Sequence, residues 1–278
     1  MNILFWNTSC VRNIEKKVRI NNCLIEIILE NKCDVIVLAE YGDEISRLCG
    51  LLNMVSKDTY QPLPQYEGCK KIRGLINSKY KSDVLHEQSR YQIIMIETSY
   101  YSLIIAMIHN KSKLNSSIFA QEEELRVFHQ DICAVEKSCN TKNTLVIGDF
   151  NADPFEPACT SASALHAIPF AGETSKSTRT VSGRKYHKFY NPTWKFYSNR
   201  SVPYSTYYYN NSDMINLYWN IFDQVIIRPQ LINAFIDDSL SIITETKNHN
   251  LLKKKIPNKD KYSDHLPLFC SVEEEKII

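Results

Sequence analysis

Glycine is scarce in this chain, seven in 278 residues, and no stretch is rich in proline, glycine or serine. Flexible tethers and low-complexity architectures are thereby excluded, and one continuous domain over residues 1–278 is expected. No apolar run approaches the roughly 20 residues of a membrane-spanning helix. The start, Met1-Asn2-Ile3-Leu4-Phe5-Trp6, has no basic leader and no long apolar core. We therefore expect a cytoplasmic protein with no membrane attachment. Charge of one sign is also missing, since 33 basic residues nearly balance 31 acidic ones for a net +2. No global basic field marks a nucleic-acid binder, so any phosphate affinity must be local. The nine cysteines are odd in number and contain no C-x-x-C pair. Zinc sites, disulfide frameworks and a disulfide-linked partner are not expected, and several cysteines read as small buried side chains in a reducing compartment.

What is present is a series of apolar runs that end or begin on chemically capable residues. Residues 3–7 form a short strand that stops at Asn7. Ile14, Val18, Ile25, Ile28 and Leu29 then recur at helical spacing up to about Asn31. Residues 34–40 form an apolar strand ending on Glu40, which makes a strand–helix–strand start. A short helix is expected between Ser46 and Asn53, a loop from Tyr60 to Lys71, and a strand near 74–78. Residues 91–96 and 103–108 read as two strands, the second ending on His109-Asn110. Leu125, Phe128, Ile132 and Val135 place a helix over 121–137, with Glu122, Glu123 and Glu124 in its first turn, where they suit the helix dipole.

That helix leads into Thr144-Leu145-Val146-Ile147 and then Gly148-Asp149-Phe150-Asn151. In an extended chain Asp149 and Asn151 point to the same side and can address one ligand, although Asp-Asn pairs also make plain turns. A polar excursion covers about 155–220, with a short helix near 161–167. It contains two aromatic segments, 191–197 with Trp194 and 204–209 with Tyr207 and Tyr208, and the basic residues Arg179, Arg184, Lys185, Lys188, Lys195 and Arg200. The aromatics read either as a cross-strand packed hairpin or as a stacking surface beside the active site. Basic residues interleaved with aromatics suit a nucleic-acid backbone and its bases, so Trp194, Arg184, Tyr207 and Tyr208 are the candidate substrate contacts. Two last strands begin on acids, one from Asn220 through Asp223 and one from Tyr262 through Asp264 and His265.

Asn7, Glu40, His109, Asp149 and Asn151 thus follow strands, whereas Asp223, Asp264 and His265 precede them. If the last two strands run antiparallel to their neighbours, all eight collect at one rim. Carboxylates and amides without a cysteine suit a hard divalent cation, Mg²⁺ or Mn²⁺, and hydrolysis of a phosphate ester fits the set.

These residues carry a family resemblance. Phe5-Trp6-Asn7, Val37-Leu38-Ala39-Glu40-Tyr41, Gly148-Asp149-Phe150-Asn151, Phe222-Asp223-Gln224-Val225 and Ser263-Asp264-His265-Leu266-Pro267 occur in the order and approximate spacing of the endonuclease/exonuclease/phosphatase superfamily. Its members include abasic-site endonucleases, deoxyribonucleases, inositol polyphosphate 5-phosphatases and neutral sphingomyelinases. The resemblance implies a four-layer α/β sandwich: two mixed, mainly antiparallel sheets packed face to face, with helices outside. It implies Glu40 as principal metal ligand, assisted by Asn7 and Asp264, with Asp149 directing the attacking water and Asn151 holding the scissile phosphate. His265 would contact the phosphate, oriented by Asp223. His109 matches the histidine of deoxyribonuclease-like and phosphatase-like members, where the abasic-site branch has a tyrosine, and no acid in the sequence stands out as its partner. The implied activity is a Mg²⁺-dependent nuclease, with DNA as the favoured substrate. The alternatives are a phosphatase or phosphodiesterase for a soluble inositol phosphate or nucleotide and, more remotely, a catalytically silent binding module.

Overall fold

The structure, a computed structural model, describes residues 1–9, 13–113, 116–212 and 214–277. Cys10 lies outside the described residues, and the other eight cysteines are free thiols.

In chain order the sheet strands are β1 (Asn2–Asn7), β2 (Val35–Ala39), β3 (Tyr60–Pro62), β4 (Ile72–Asn77), β5 (Lys81–Gln88), β6 (Tyr91–Glu97) and β7 (Ser102–His109). They continue with β8 (Thr144–Asp149), β9 (Ala167–Ile168), β10 (Phe189–Tyr190), β11 (Asp223–Ile227), β12 (Ser241–Ile242) and β13 (Leu268–Ser271). The helices are α1 (Ile14–Glu30), α2 (Ile45–Val55), α3 (Ile118–Ser138) and the single turn α4 (Pro157–Thr160). One sheet has the order β12-β13-β1-β2-β4-β3 and the other β5-β6-β7-β8-β11-β10-β9. Each is mixed and mainly antiparallel: β1 runs parallel to β2 and β7 to β8, while β13 opposes β1 and β11 opposes β8.

The layers follow from strand alternation, which sends successive side chains to opposite faces. Ile3 and Phe5, Val35 and Val37, Ile105 and Met107, Leu145 and Ile147, and Val225 and Ile227 share the core between the sheets. The intervening Leu4, Trp6, Ile36 and Leu38 pack under α1 and α2, and Val146 and Ile226 under Leu125, Phe128 and Ile132 of α3. Helices, sheet, sheet and helix make four layers. Each large apolar side chain sealed there contributes about 1.5–3 kcal/mol relative to exposure, which offsets the burial of polar groups at the rim.

Continuing the same alternation by two residues places Asn7, His109, Asp149 and Asp223 on the inter-sheet face. The functional rim is therefore the polar end of the apolar core. Asn7 pairs with Ala39, His109 with Asp149, and Asp149 with Asp223, so the strand ends lie level.

Several elements differ from expectation for identifiable reasons. Ser117 caps α3 by accepting from the Ala120 amide, so the helix starts before Gln121 and the Glu122–Glu124 run falls beyond its first turn. The expected helix at 161–167 is instead the turn Pro157–Thr160, started by a proline that needs no partner for its missing N–H. Residues 191–197 do not form a hairpin with 204–209. Asn191 accepts from the Thr193 amide and Pro192 follows it, so Pro192–Ser198 winds as a 3₁₀ helix. Tyr207–Tyr208 pairs with Trp219–Asn220 instead. Tyr60–Pro62 adds a short edge strand within the expected loop, and β5 is a polar edge strand that hydrophobic patterning does not reveal.

Gly148 shows how closely β7 and β8 approach. A Cβ there would stand 2.0 Å from the Ile108 carbonyl oxygen, a backbone atom that cannot swing aside. Gly148→Ala is expected to lower unfolding free energy by about 3 kcal/mol, read as a lower urea midpoint.

Candidate active site

The centre of the rim is Asp149, 1% exposed at the end of β8. Its Oδ1 accepts from the Asn151 amide at 2.8 Å and its Oδ2 from Asn7 Nδ2 at 2.9 Å, a bond that crosses from one sheet to the other. His109 Nε2 stands 3.7 Å from Asp149 Oδ2 and 3.3 Å from Glu40 Oε1. Glu40 is therefore the acid beside His109 that the sequence did not reveal. Burial, with Lys71, Arg90 and His265 nearby, pushes His109 down to about 3, so it stands beside Glu40 as a neutral imidazole and not as a cation. Its Nδ1 is buried without a hydrogen-bond partner among the described residues.

On the other side, His265 Nδ1 lies 2.8 Å from Asp223 Oδ2, and its Nε2 lies 4.0 Å from Asp149 Oδ2. Burial alone would drive the imidazolium to lose its proton. Asp223, with Asp149 and Asp264 behind it, outweighs burial and raises His265 to about 10. Asp149 moves up to about 7, chiefly because it is buried; His265 opposes the shift and Asp223 adds to it. Asp264 joins from the same loop as His265. Its Oδ1 accepts from Ser9 Oγ, whose own backbone N–H donates to Asn7 Oδ1 at 3.0 Å. Asn151 Nδ2 donates to the Asn110 carbonyl at 3.1 Å, and Asn110 Nδ2 donates to the Phe150 carbonyl at 3.0 Å.

Glu40 and Asn151 both have left-handed backbones, φ 48° and 49°. Asparagine tolerates this region, but glutamate does so only under strain, the kind of local cost that collects at functional sites. Among the described residues, ligand atoms of Asp149, Asp223 and His265 lie within 4.8 Å of one another and could hold a metal ion. Because His265 Nδ1 is hydrogen-bonded to Asp223, the geometry reads better as an oriented imidazole beside a carboxylate. Further oxygen ligands are Asn7 Oδ1, which accepts one bond from the Ser9 amide, and the Glu40 carboxylate.

Comparisons with known proteins bear on this arrangement. No family model matches the chain, and no curated protein matches it. Solved structures do. D. rerio TDP2 complexed with a single-strand DNA product superimposes with a TM-score of 0.59 at 15% identity, over 98% of this chain and 98% of that one. An endonuclease/exonuclease/phosphatase family protein from Leptotrichia buccalis gives 0.57 at 14% identity, over 98% and 99%. The human Nocturnin catalytic domain with bound sulfate gives 0.55 at 14% identity, over 98% and 93%. This chain has the endonuclease/exonuclease/phosphatase superfamily fold. At these identities the likeness is one of fold.

Within that superfamily fold the candidate substrate contacts are not all at the rim. Tyr207 is: it forms a backbone bridge with His265, its ring lies 4.6 Å from the His265 ring, and Phe222 stacks at 5.1 Å. Tyr208, next along the strand, turns instead to Trp219 at 5.4 Å. Trp194 packs edge-on to Tyr197 at 5.6 Å, and Tyr197 donates to Asp153, so Trp194 is one layer removed. Arg184 is at the opposite end. Tyr190 pairs with Ile227, the far end of β11, so the chain entering β10 arrives from below the sheet, and His187 stands beside Lys142, ahead of β8. Of the six basic residues expected to form a groove wall, Arg179, Arg184, Lys185 and Lys188 are therefore not part of this rim. Positive charge reaches the rim from Lys71 and Arg90, which act on His109; Lys113, whose Nζ lies 4.8 Å from the Phe222 ring centre, is paired with Glu156. Ser9 and Asn110 were also missed. Only their adjacency to Asn7 and His109 could have pointed to them.

Proposed function

We propose that the protein is a divalent-metal-dependent phosphoesterase that hydrolyses phosphodiester bonds of nucleic acid, with DNA favoured. The observation that carries this reading is the convergence on Asp149 of Asn7, His109 and His265 from three other segments, at 2.9, 3.7 and 4.0 Å. A buried carboxylate whose proton affinity is raised toward neutrality is suited to take a proton from an attacking water. Asn7 fixes which way that carboxylate faces. Asn151 spends one amide N–H on the Asn110 carbonyl and keeps the second for a phosphate oxygen. His265, held as a cation by Asp223, places positive charge where the phosphoryl oxygens gain negative charge.

The donor set fits a hard cation, because Glu40 and Asn7 offer oxygen ligands and, among the described residues, Asp223 Oδ1 is a buried carboxylate oxygen without a hydrogen-bond partner. Glu40 and Asn7, with Asp264, would hold Mg²⁺ or Mn²⁺. When bound, such an ion polarises the phosphoryl group. The Tyr207–Phe222 stack beside His265 offers a face for a base, worth about 1–3 kcal/mol per stacked base. The D. rerio TDP2 structure, complexed with single-strand DNA, supports nucleic acid as the ligand class for this fold. The absence of Arg184 and its neighbours from the rim favours a second reading, a soluble phosphorylated small molecule.

One assay separates them. The full chain with Mg²⁺ is expected to cleave single- or double-stranded DNA, to lose activity in EDTA, and to regain it when Mg²⁺ is restored. RNA, inositol polyphosphates and a generic phosphodiester complete the panel, and turnover of the small molecules alone would refute the nuclease reading.

A further inference from the structure

At the end of the second sheet opposite Asp149, a cleft of about 660 Å³ opens beside the last turn of α3, the start of β8 and the end of the hairpin formed by Thr178–Val181 and Arg184–His187. Its wall includes Glu136, Lys137, Lys142, Asn143 and His187. The length of β8 separates it from the catalytic rim, about 17 Å at 3.3 Å per residue.

The charge in this cleft is one-sided. Glu136 is fully engaged: Oε1 accepts from Arg228 Nε at 2.7 Å and from Thr144 Oγ1 at 2.8 Å, and Oε2 accepts from Arg228 Nη2 at 3.2 Å. Neither Lys137 nor Lys142 pairs with a carboxylate among the described residues. Lys142 Nζ lies 3.0 and 3.2 Å from the two ring nitrogens of His187. A neutral imidazole has one lone pair to accept with, so two of the three ammonium N–H groups stay available. Asn143, next to Lys142, brings a carboxamide to the same wall.

We propose that the cleft is a second anion site that binds a phosphoryl group, with Lys142, Lys137 and the Asn143 carboxamide donating to its oxygens. Two ammonium groups without a carboxylate partner among the described residues, with the one wall acid already neutralised, call for an acceptor-rich anion. The volume lies within the roughly 300–1,000 Å³ of small-ligand sites. On the hairpin, Lys185 lies two residues from His187 and so on the same face, whereas Arg184 and Arg179 fall on the other face. Lys185 suits the next phosphate of a nucleic-acid strand continuing out of the cleft, and a free small phosphate would use only the inner donors.

The test uses the full chain in EDTA, so that no turnover is needed and failure of the phosphoesterase reading cannot imitate failure here. Equilibrium dialysis with inorganic phosphate compares the native protein with Lys137→Gln/Lys142→Gln, and circular dichroism confirms that the variant is folded. The variant is expected to lose one bound equivalent of phosphate. Binding of a labelled single-stranded DNA oligonucleotide is then followed against salt. If a nucleic-acid phosphate is the occupant, the slope of log K against log salt falls by about 1.4, at 0.7 per lost contact. Loss of phosphate with an unchanged slope assigns the site to a small phosphate. Unchanged phosphate stoichiometry overturns the proposal.

Discussion

Asp223→Asn is expected to lower turnover on the order of 10³-fold and to bring the alkaline limit of activity down by several pH units. The residue need not touch substrate to do this. Its carboxylate accepts from His265 Nδ1 at 2.8 Å and is the main reason that a buried imidazole stays charged up to about pH 10. With the carboxylate gone, burial is opposed only by Asp149 and Asp264, and the His265 pKa falls. Activity that depends on the imidazolium then fades at lower pH, whereas the native protein keeps its charged His265 well into the alkaline range. Stability moves in the same sense. A histidine whose folded pKa is raised stabilises the native state fully below the unfolded pKa, and that contribution is lost as pH rises through the folded value. The variant should therefore be less stable than the native protein at pH 6 to 7, with the gap closing toward pH 10. A pH profile of kcat/KM decides the matter: a lower rate with an unmoved alkaline limb would mean that Asp223 does not act through His265.

How far the site was legible in sequence depended on chain geometry. Asn7, His109, Asp149 and Asp223 could be placed because each terminates or starts a run of alternating apolar residues, and a period of two carries the face of the core directly to the rim. The register that sets His109 level with Asp149 and Asp223 then follows from strand pairing. Glu40 was visible as a strand end, but its contact with His109 was not, because it joins two sheets whose relative placement no local pattern encodes. Asp264 and His265 sit in a loop ahead of Leu268, with Pro267 unable to donate to the ladder, so their alignment depends on Ser9, Ser263 and the Trp6 indole, which donates to the His265 carbonyl at 2.8 Å. The excursion was least legible. Proximity in sequence to Asp149 suggested proximity in space for Arg184, but parallel pairing of β9 with β10 sends the intervening hairpin to the other pole. Tyr207 reached the rim, whereas Tyr208 was turned away by the same alternation that served well elsewhere.

Asp149→Asn carries the sharpest contrast between activity and stability. Asparagine keeps a carbonyl oxygen to accept from Asn7 or Asn151, so the local fold is preserved, but it cannot take a proton from water. Turnover is expected to fall by about 10²–10⁴-fold, the scale of a lost general base. The metal-free protein should respond in the opposite direction. The native carboxyl titrates near 7, against 3.8 ordinarily, because ionising it inside the core is costly. Between those values the folded state holds a proton that the unfolded state has released, so native stability declines as pH rises through this window. Asparagine has no such charge to bury. In EDTA the variant should gain in melting temperature relative to the native protein between pH 4 and 7 and keep that advantage above. A residue retained for packing would show loss of stability on replacement; inactivation together with gained stability is what a group held at energetic cost for its chemistry produces. If the variant instead melts lower than the native protein at pH 8, Asp149 is a structural anchor, and the water-directing role fails with it.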